Sequence, residues 1–164
     1  MDAAVARFCN WLSATSPSQA FQNAGWFVPL VQTVHIASVA VFMISIWTIS
    51  WRLIGLGFRT DAPDAMLARA LSYAWAALAL LLLTGTLLTI TEPARELLND
   101  AFRAKMIMVA VNACLLAVLQ GRLRQRSLFN AASGRTRPVV RIAGAICLVL
   151  TVASAIAGRW IAYT

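Results

Sequence analysis

The chain has 164 residues, 60% of them hydrophobic and only 12% charged, with a mean hydropathy of +0.74. A water-soluble domain of this length carries charge on roughly a quarter of its residues, so the composition excludes an ordinary soluble domain and makes lipid the main solvent. The net charge of +8 raises a nucleic-acid reading that the placement of the charges, taken up below, argues against.

The N-terminal stretch MDAAVARFCNWLSATSPSQAFQN has neither a basic leader nor an apolar core of signal-peptide length. Val5, Phe8, Cys9 and Leu12 form a short apolar face beside Trp11, which predicts an amphipathic helix lying in the interface and ended by Ser16-Pro17-Ser18. Residues 1–23 are thus expected to form an interfacial segment, and residues 24–164 a membrane bundle.

Four apolar stretches follow, near residues 26–54, 71–91, 101–120 and 139–163. About 20 residues cross roughly 30 Å of hydrocarbon, and backbone groups in lipid must be satisfied within their own segment, so all four are predicted to be helices. The expected fold is all-α: an integral membrane four-helix bundle running up-down-up-down, preceded by the interfacial helix.

The linker between the third and fourth spans holds Arg122, Arg124, Arg126, Arg135, Arg137 and Arg141 without an acid. That between the first and second holds Arg52, Arg59 and Arg69 against Asp61 and Asp64. The arginine excess makes this side cytoplasmic and turns both termini outward, to a periplasm in a Gram-negative host. The basic surface is matched to anionic lipid headgroups rather than to nucleic acid.

The first span carries the only histidine, His35, on one face with Ser38, Phe42 and Ser45. The second carries the polar belt Thr84-Gly85-Thr86. The third has a stripe of Lys105, Met108, Asn112, Leu115 and Leu119; the fourth has Gly144, Cys147, Thr151, Ser154 and Gly158. Small-residue stripes let another backbone, or a flat ligand, approach closely. Depths counted at about 1.5 Å per residue put His35, Thr84, Asn112 and Thr151 in one expected polar layer near the midplane.

An ionisable residue inside a membrane is a functional candidate. His35 fits a packing histidine, an axial ligand of b-type haem, a quinone or proton-transfer contact, or a copper ligand with Met106 or Met108. A second haem ligand must come from Met108, water or another subunit, since Met43 lies on the same helix as His35. Lys105, Arg103 and Arg159 gather near one rim, where they suit propionates, phosphates or an anionic headgroup, or pair with Glu92, Glu96 and Asp100. The cysteines Cys9, Cys114 and Cys147 show no CxxC and are expected to pack. No catalytic triad, phosphate-binding glycine loop or buried acid pair can be assembled, which excludes hydrolytic chemistry of those kinds.

WFVPLVQTVHIASVAVFM, WRLIGLG, FRAKMIMVAVNA and GRWIAYT, spread over nearly the whole chain, resemble a group of small four-span bacterial inner-membrane proteins known only as a domain of unknown function. Such sequences often read Asp-Leu-Arg where this one has Ser50-Trp51-Arg52. More distantly, a first-span histidine followed by F-x-x-K in the third resembles the copper-resistance D-type membrane domain and the small haem-linked protoporphyrinogen oxidase. That likeness makes His35 and Lys105 the matching positions; the histidine-rich third span of the oxidase family is absent, with Asn112 and Gln120 in its place. The expected role is a non-catalytic inner-membrane subunit or anchor of a larger, redox-type assembly or homo-oligomer, with His35 able to meet a haem or quinone. A small haem-linked oxidase or copper permease centred on His35, and a purely structural protein, stand as alternatives.

Overall fold

The structure, a computed structural model, describes residues 2–54, 63–124 and 136–160. Among the described residues seven helices follow in order: α1 (Asp2–Ser13), α2 (Ser16–Asn23), α3 (Phe27–Ile54), α4 (Pro63–Thr91), α5 (Pro93–Leu97), α6 (Asp100–Arg124) and α7 (Thr136–Trp160). All five prolines fall within the first three positions of a helix: Pro17, Pro29, Pro63, Pro93 and Pro138. There the missing N–H has no intrahelical acceptor to lose and the fixed φ suits the helix. Proline therefore starts these helices and interrupts none of them. This explains one departure from the sequence reading. Ser16-Pro17-Ser18 does not end an amphipathic helix; it opens a second one, α2, after α1 has stopped at Ser13.

Among the described residues three helices are long and apolar enough to cross a membrane: Phe27–Leu53, Ala65–Thr91 and Asp100–Gly121. A fourth apolar helix, Ile142–Gly158, is shorter within the described residues. α3 packs along α4 and along α7, and α7 packs along α6; α4 and α6 meet at few positions. Going round the bundle, the order is α4, α3, α7, α6, with a loosely closed seam between α4 and α6.

The interior divides along its length. Phe42, Ile46 and Ile49 of α3 pack with Leu67, Leu71, Ala74 and Leu78 of α4, Leu116 and Leu119 of α6, and Cys147 of α7. Toward the opposite end Ser38 and Thr84 are buried, and Ser45, Ser50, Asn112 and Thr151 are buried polar residues set among the apolar ones. Ile36, Ile44, Leu83, Ile107, Val118, Val149 and Ile156 point outward and are exposed, as expected of lipid-facing positions.

α1 and α2 cover the polar end. Ser18 Oγ donates to the carbonyl of Ile90 at 2.8 Å, and Gln22 Nε2 to that of Thr91 at 2.8 Å and to Ser18 Oγ at 3.0 Å. Cys9 Sγ lies 3.5 Å from the Pro93 carbonyl as a weak donor. The last carbonyls of a helix have no intrahelical donor, so the N-terminal helices supply what the end of α4 lacks. Cys9 is 1% exposed and Phe21 stacks on Phe27 with centroids 4.3 Å apart, while Phe8, Trp11 and Trp26 stay exposed. The apolar side of this cap is thereby left for an interface.

Candidate functional site

His35 Nδ1 stands 2.7 Å from Thr84 Oγ1, and the same oxygen stands 2.7 Å from the Leu80 carbonyl. Two oxygens that close need a proton between them, and a hydroxyl has only one. Thr84 therefore donates to Leu80, and the imidazole donates from Nδ1 to Thr84. In the neutral ring this leaves the Nε2 lone pair unshared, and among the described residues nothing hydrogen-bonds it. The ring lies against Gly85, whose absent Cβ would stand 3.6 Å from Cε1.

Lys105 runs its stem across Gly158, where a Cβ would meet Nζ at 3.3 Å, Cε at 3.6 Å and Cδ at 3.8 Å. A helical side chain leans toward its own N-terminus, so the ammonium reaches toward the capped end, within electrostatic range of His35 and of Glu96. Burial holds the Glu96 carboxyl above the ordinary carboxylate range, with Lys105 and Arg95 pulling the other way. Two further rim charges pair locally on the surface: Arg95 with Glu92 at 2.9 Å and Arg103 with Asp100 at 3.3 Å. The side chain of Arg159 lies outside the described residues, as do those of Arg59, Arg122, Arg124, Arg126, Arg135, Arg137 and Arg141, while Arg52 and Arg69 of the expected first linker lie within α3 and α4.

The single polar layer expected from helix depth separates into two levels. In an antiparallel pair, each step forward on one helix is a step back on the other. His35 lies against Thr84 and Gly85, so ten residues further along α3 Ser45 falls level with Trp75 of α4. Gly144 of α7 lies against Ser50 and Leu53, so Thr151, seven residues on, falls level with Ser45. Lys105 meets Gly158 with the far end of a side chain that leans toward the capped end, so Asn112, seven residues on from Lys105, falls within about a turn of Thr151, on its deeper side. Ten residues of helix are about 15 Å. His35 and Thr84 thus form one level with Lys105 reaching toward it; Asn112 and Thr151 form another, with Ser45 and Trp75. Met108 sits between them, its Cα about 10 Å deeper than that of His35 by the same count.

The deeper level contains two side chains that find no partner. Asn112 is 0% exposed, and neither its Oδ1 nor its Nδ2 has a hydrogen bond; Trp75 Nε1 is also buried and unpaired. The reason is local. Thr151 donates to Cys147, Ser45 to Val41 and Ser38 to Val34, each to a carbonyl one turn back on its own helix. The nearby hydroxyl protons are committed to backbone and none crosses to another helix.

Sequence reading found Asn112 and missed Trp75, although tryptophan prefers membrane interfaces and one in mid-span is itself a signal. It also missed Leu116, fully buried one turn beyond Asn112, and the capping role of Ser18 and Gln22. Thr86, placed in the polar belt, is exposed and bonds back to Leu82 at 2.7 Å. Among the described residues no three of His, Cys, Asp or Glu converge. The donor set is that of one imidazole: suited to an axial position on a haem or to a quinone oxygen, and short of what a chelated metal ion needs.

The model of the family described as "Family of unknown function (DUF6644)" matches residues 17–164. No curated protein and no solved structure matches the chain.

Proposed function

The chain belongs to the DUF6644 family, and we propose that it is a non-catalytic integral membrane subunit or anchor that presents His35 to a lipophilic redox ligand, a quinone or a b-type haem, within a larger assembly. The observation that carries this is the fixed ring. Nδ1 is held by Thr84, which leaves the Nε2 lone pair as the ready acceptor or axial ligand. An imidazole that served only packing would gain by having both nitrogens paired. Lys105 adds a cation on the same side for a quinone carbonyl or a propionate.

The protein sits in a bacterial inner membrane as four spans, with the arginine-rich linkers cytoplasmic and the capped end outside. Its partners are membrane lipids and other membrane subunits or a second copy. The wide lipid-facing surface of α3, with Ile36, Ile44, Trp47 and Trp51 exposed, is available to such a neighbour.

The test is purification in mild detergent, wild type beside His35→Ala, with oxidised and reduced absorption spectra and solvent extraction for quinone. A Soret band, or a quinone retained in proportion to protein, that disappears in His35→Ala supports the reading. Folded wild type that neither carries nor takes up haem or quinone refutes it. Reporter fusions at the linkers and at the C-terminus check the orientation.

A further inference from the structure

We propose a second ligand site, distinct from His35, at the deeper level: Asn112 and Trp75 bind a ring oxygen of a quinone or quinol that enters from the lipid between α4 and α6. A carboxamide buried without any hydrogen bond costs free energy that a native interior normally avoids. Here three such atoms, Asn112 Oδ1, Asn112 Nδ2 and Trp75 Nε1, belong to residues at one depth by the register derived above. They also belong to the two helices that flank the loosest seam of the bundle.

The faces agree. Thr84 turns toward α3 to meet His35, and Trp75, nine residues earlier, points the opposite way at 100° per residue, to the side where α6 stands. Its ring is partly exposed while its N–H is buried, so the indole closes the seam with its polar edge inward. Between this level and that of His35 the interior carries Leu78, Leu81 and Val109, and beyond it Leu116 and Leu119. Access is therefore from lipid through the seam.

The donor and acceptor set selects the ligand class. A quinone oxygen accepts from the indole N–H and the amide N–H together. A quinol hydroxyl accepts from the indole and donates to Asn112 Oδ1, so both redox forms are held. One quinone ring cannot bridge this level and His35, which lie about 15 Å apart along the bundle. The two sites are independent, and this one stands or falls without the His35 reading.

The experiment uses full-length protein in quinone-free lipid nanodiscs, with 15N-labelled asparagine and tryptophan, titrated with decylubiquinone and then with its reduced form. The Trp75 indole signal is assigned by its loss in Trp75→Phe and the Asn112 carboxamide signal by its loss in Asn112→Leu. The expected result is a saturable shift of both signals, kept in His35→Ala and weakened about tenfold in Trp75→Phe, which keeps an aromatic ring and removes the donor. Unmoved signals overturn the proposal, as do shifts that are lost in His35→Ala. Persistent water contacts to both groups at saturating decylubiquinone also overturn it, since a trapped water would then be the partner.

Discussion

Replacing Thr84 with valine removes the acceptor of the His35 Nδ1 proton with little change of shape, and a single histidine in the chain makes the consequence directly observable. Hydrogen bonds between helices in a bilayer contribute about 0.6 kcal/mol on average and up to about 1.7. A buried donor left without a partner costs about 1–3 kcal/mol, and Thr84 is 4% exposed. The freed ring can move its proton to Nε2 and so escape part of that cost. The expected loss is therefore about 1–2 kcal/mol by denaturant titration in detergent, near the lower end of these ranges. A double cycle with His35→Ala should give a coupling of about 0.6–1.7 kcal/mol. The sharper assay is 15N NMR of protein labelled only at histidine, where protonated and bare ring nitrogens resonate far apart. Wild type should show the proton on Nδ1 and a bare Nε2, and Thr84→Val should shift population toward the Nε2–H form. A wild-type spectrum with the proton on Nε2, or no coupling in the cycle, would refute the assignment of Thr84 as acceptor.

Glu96 gives a pH dependence. Its value is raised above the ordinary 4.5 by burial, so the folded state binds its proton more tightly than the unfolded state does. This contribution is complete below 4.5 and lost as pH rises through the folded value; Glu96→Gln should flatten that slope in thermal melts taken across the acid range. Gly144→Ala should destabilise by about 1 kcal/mol. Its Cβ would meet Leu53 Cβ at 3.1 Å and the Ser50 carbonyl at 3.4 Å, atoms tied to backbone, and overpacking of about 1–3 kcal/mol exceeds the gain of about 1 kcal/mol from replacing a helical glycine. Gly121→Ala, whose Cβ meets nothing within 4 Å, should lose no stability in the same denaturant assay. Gln22→Ala removes the bond from the cap to the Thr91 carbonyl and the bond that orients Ser18, and should speed alkylation of Cys9 by a water-soluble maleimide; an unchanged rate would mean Gln22 does not hold the cap closed.

The helices were legible because spanning length and apolar content are local properties, readable from WFVPLVQTVHIASVAVFM without knowing what surrounds it. The inward stripe of α7 was legible for the same reason: Gly144, Cys147 and Thr151 recur at helical spacing and all prove buried. What spacing cannot carry is the offset between helices. Counting depth from the outer span ends put His35 and Asn112 in one layer because the count takes those ends to be level; the ends themselves, at Phe27, Thr91 and Asp100, fall within a residue of where the sequence places them. Contacts such as Gly144 on Ser50 fix the offset and move Asn112 about two to three turns away from His35. The cap was illegible for a similar reason. Ser18 and Gln22 look like ordinary helix polar residues until the carbonyl end of α4, about 70 positions later, arrives beside them.

That arrival has a kinetic side. The bonds from Ser18 and Gln22 join residues 72 and 69 positions apart in sequence, and the carbonyls they meet exist as a helix end only after α4 has formed and folded back along α3. The cap is therefore among the last pieces to close during assembly, and on the same grounds among the first to open, since its docking rests on a few bonds rather than on a long packed face.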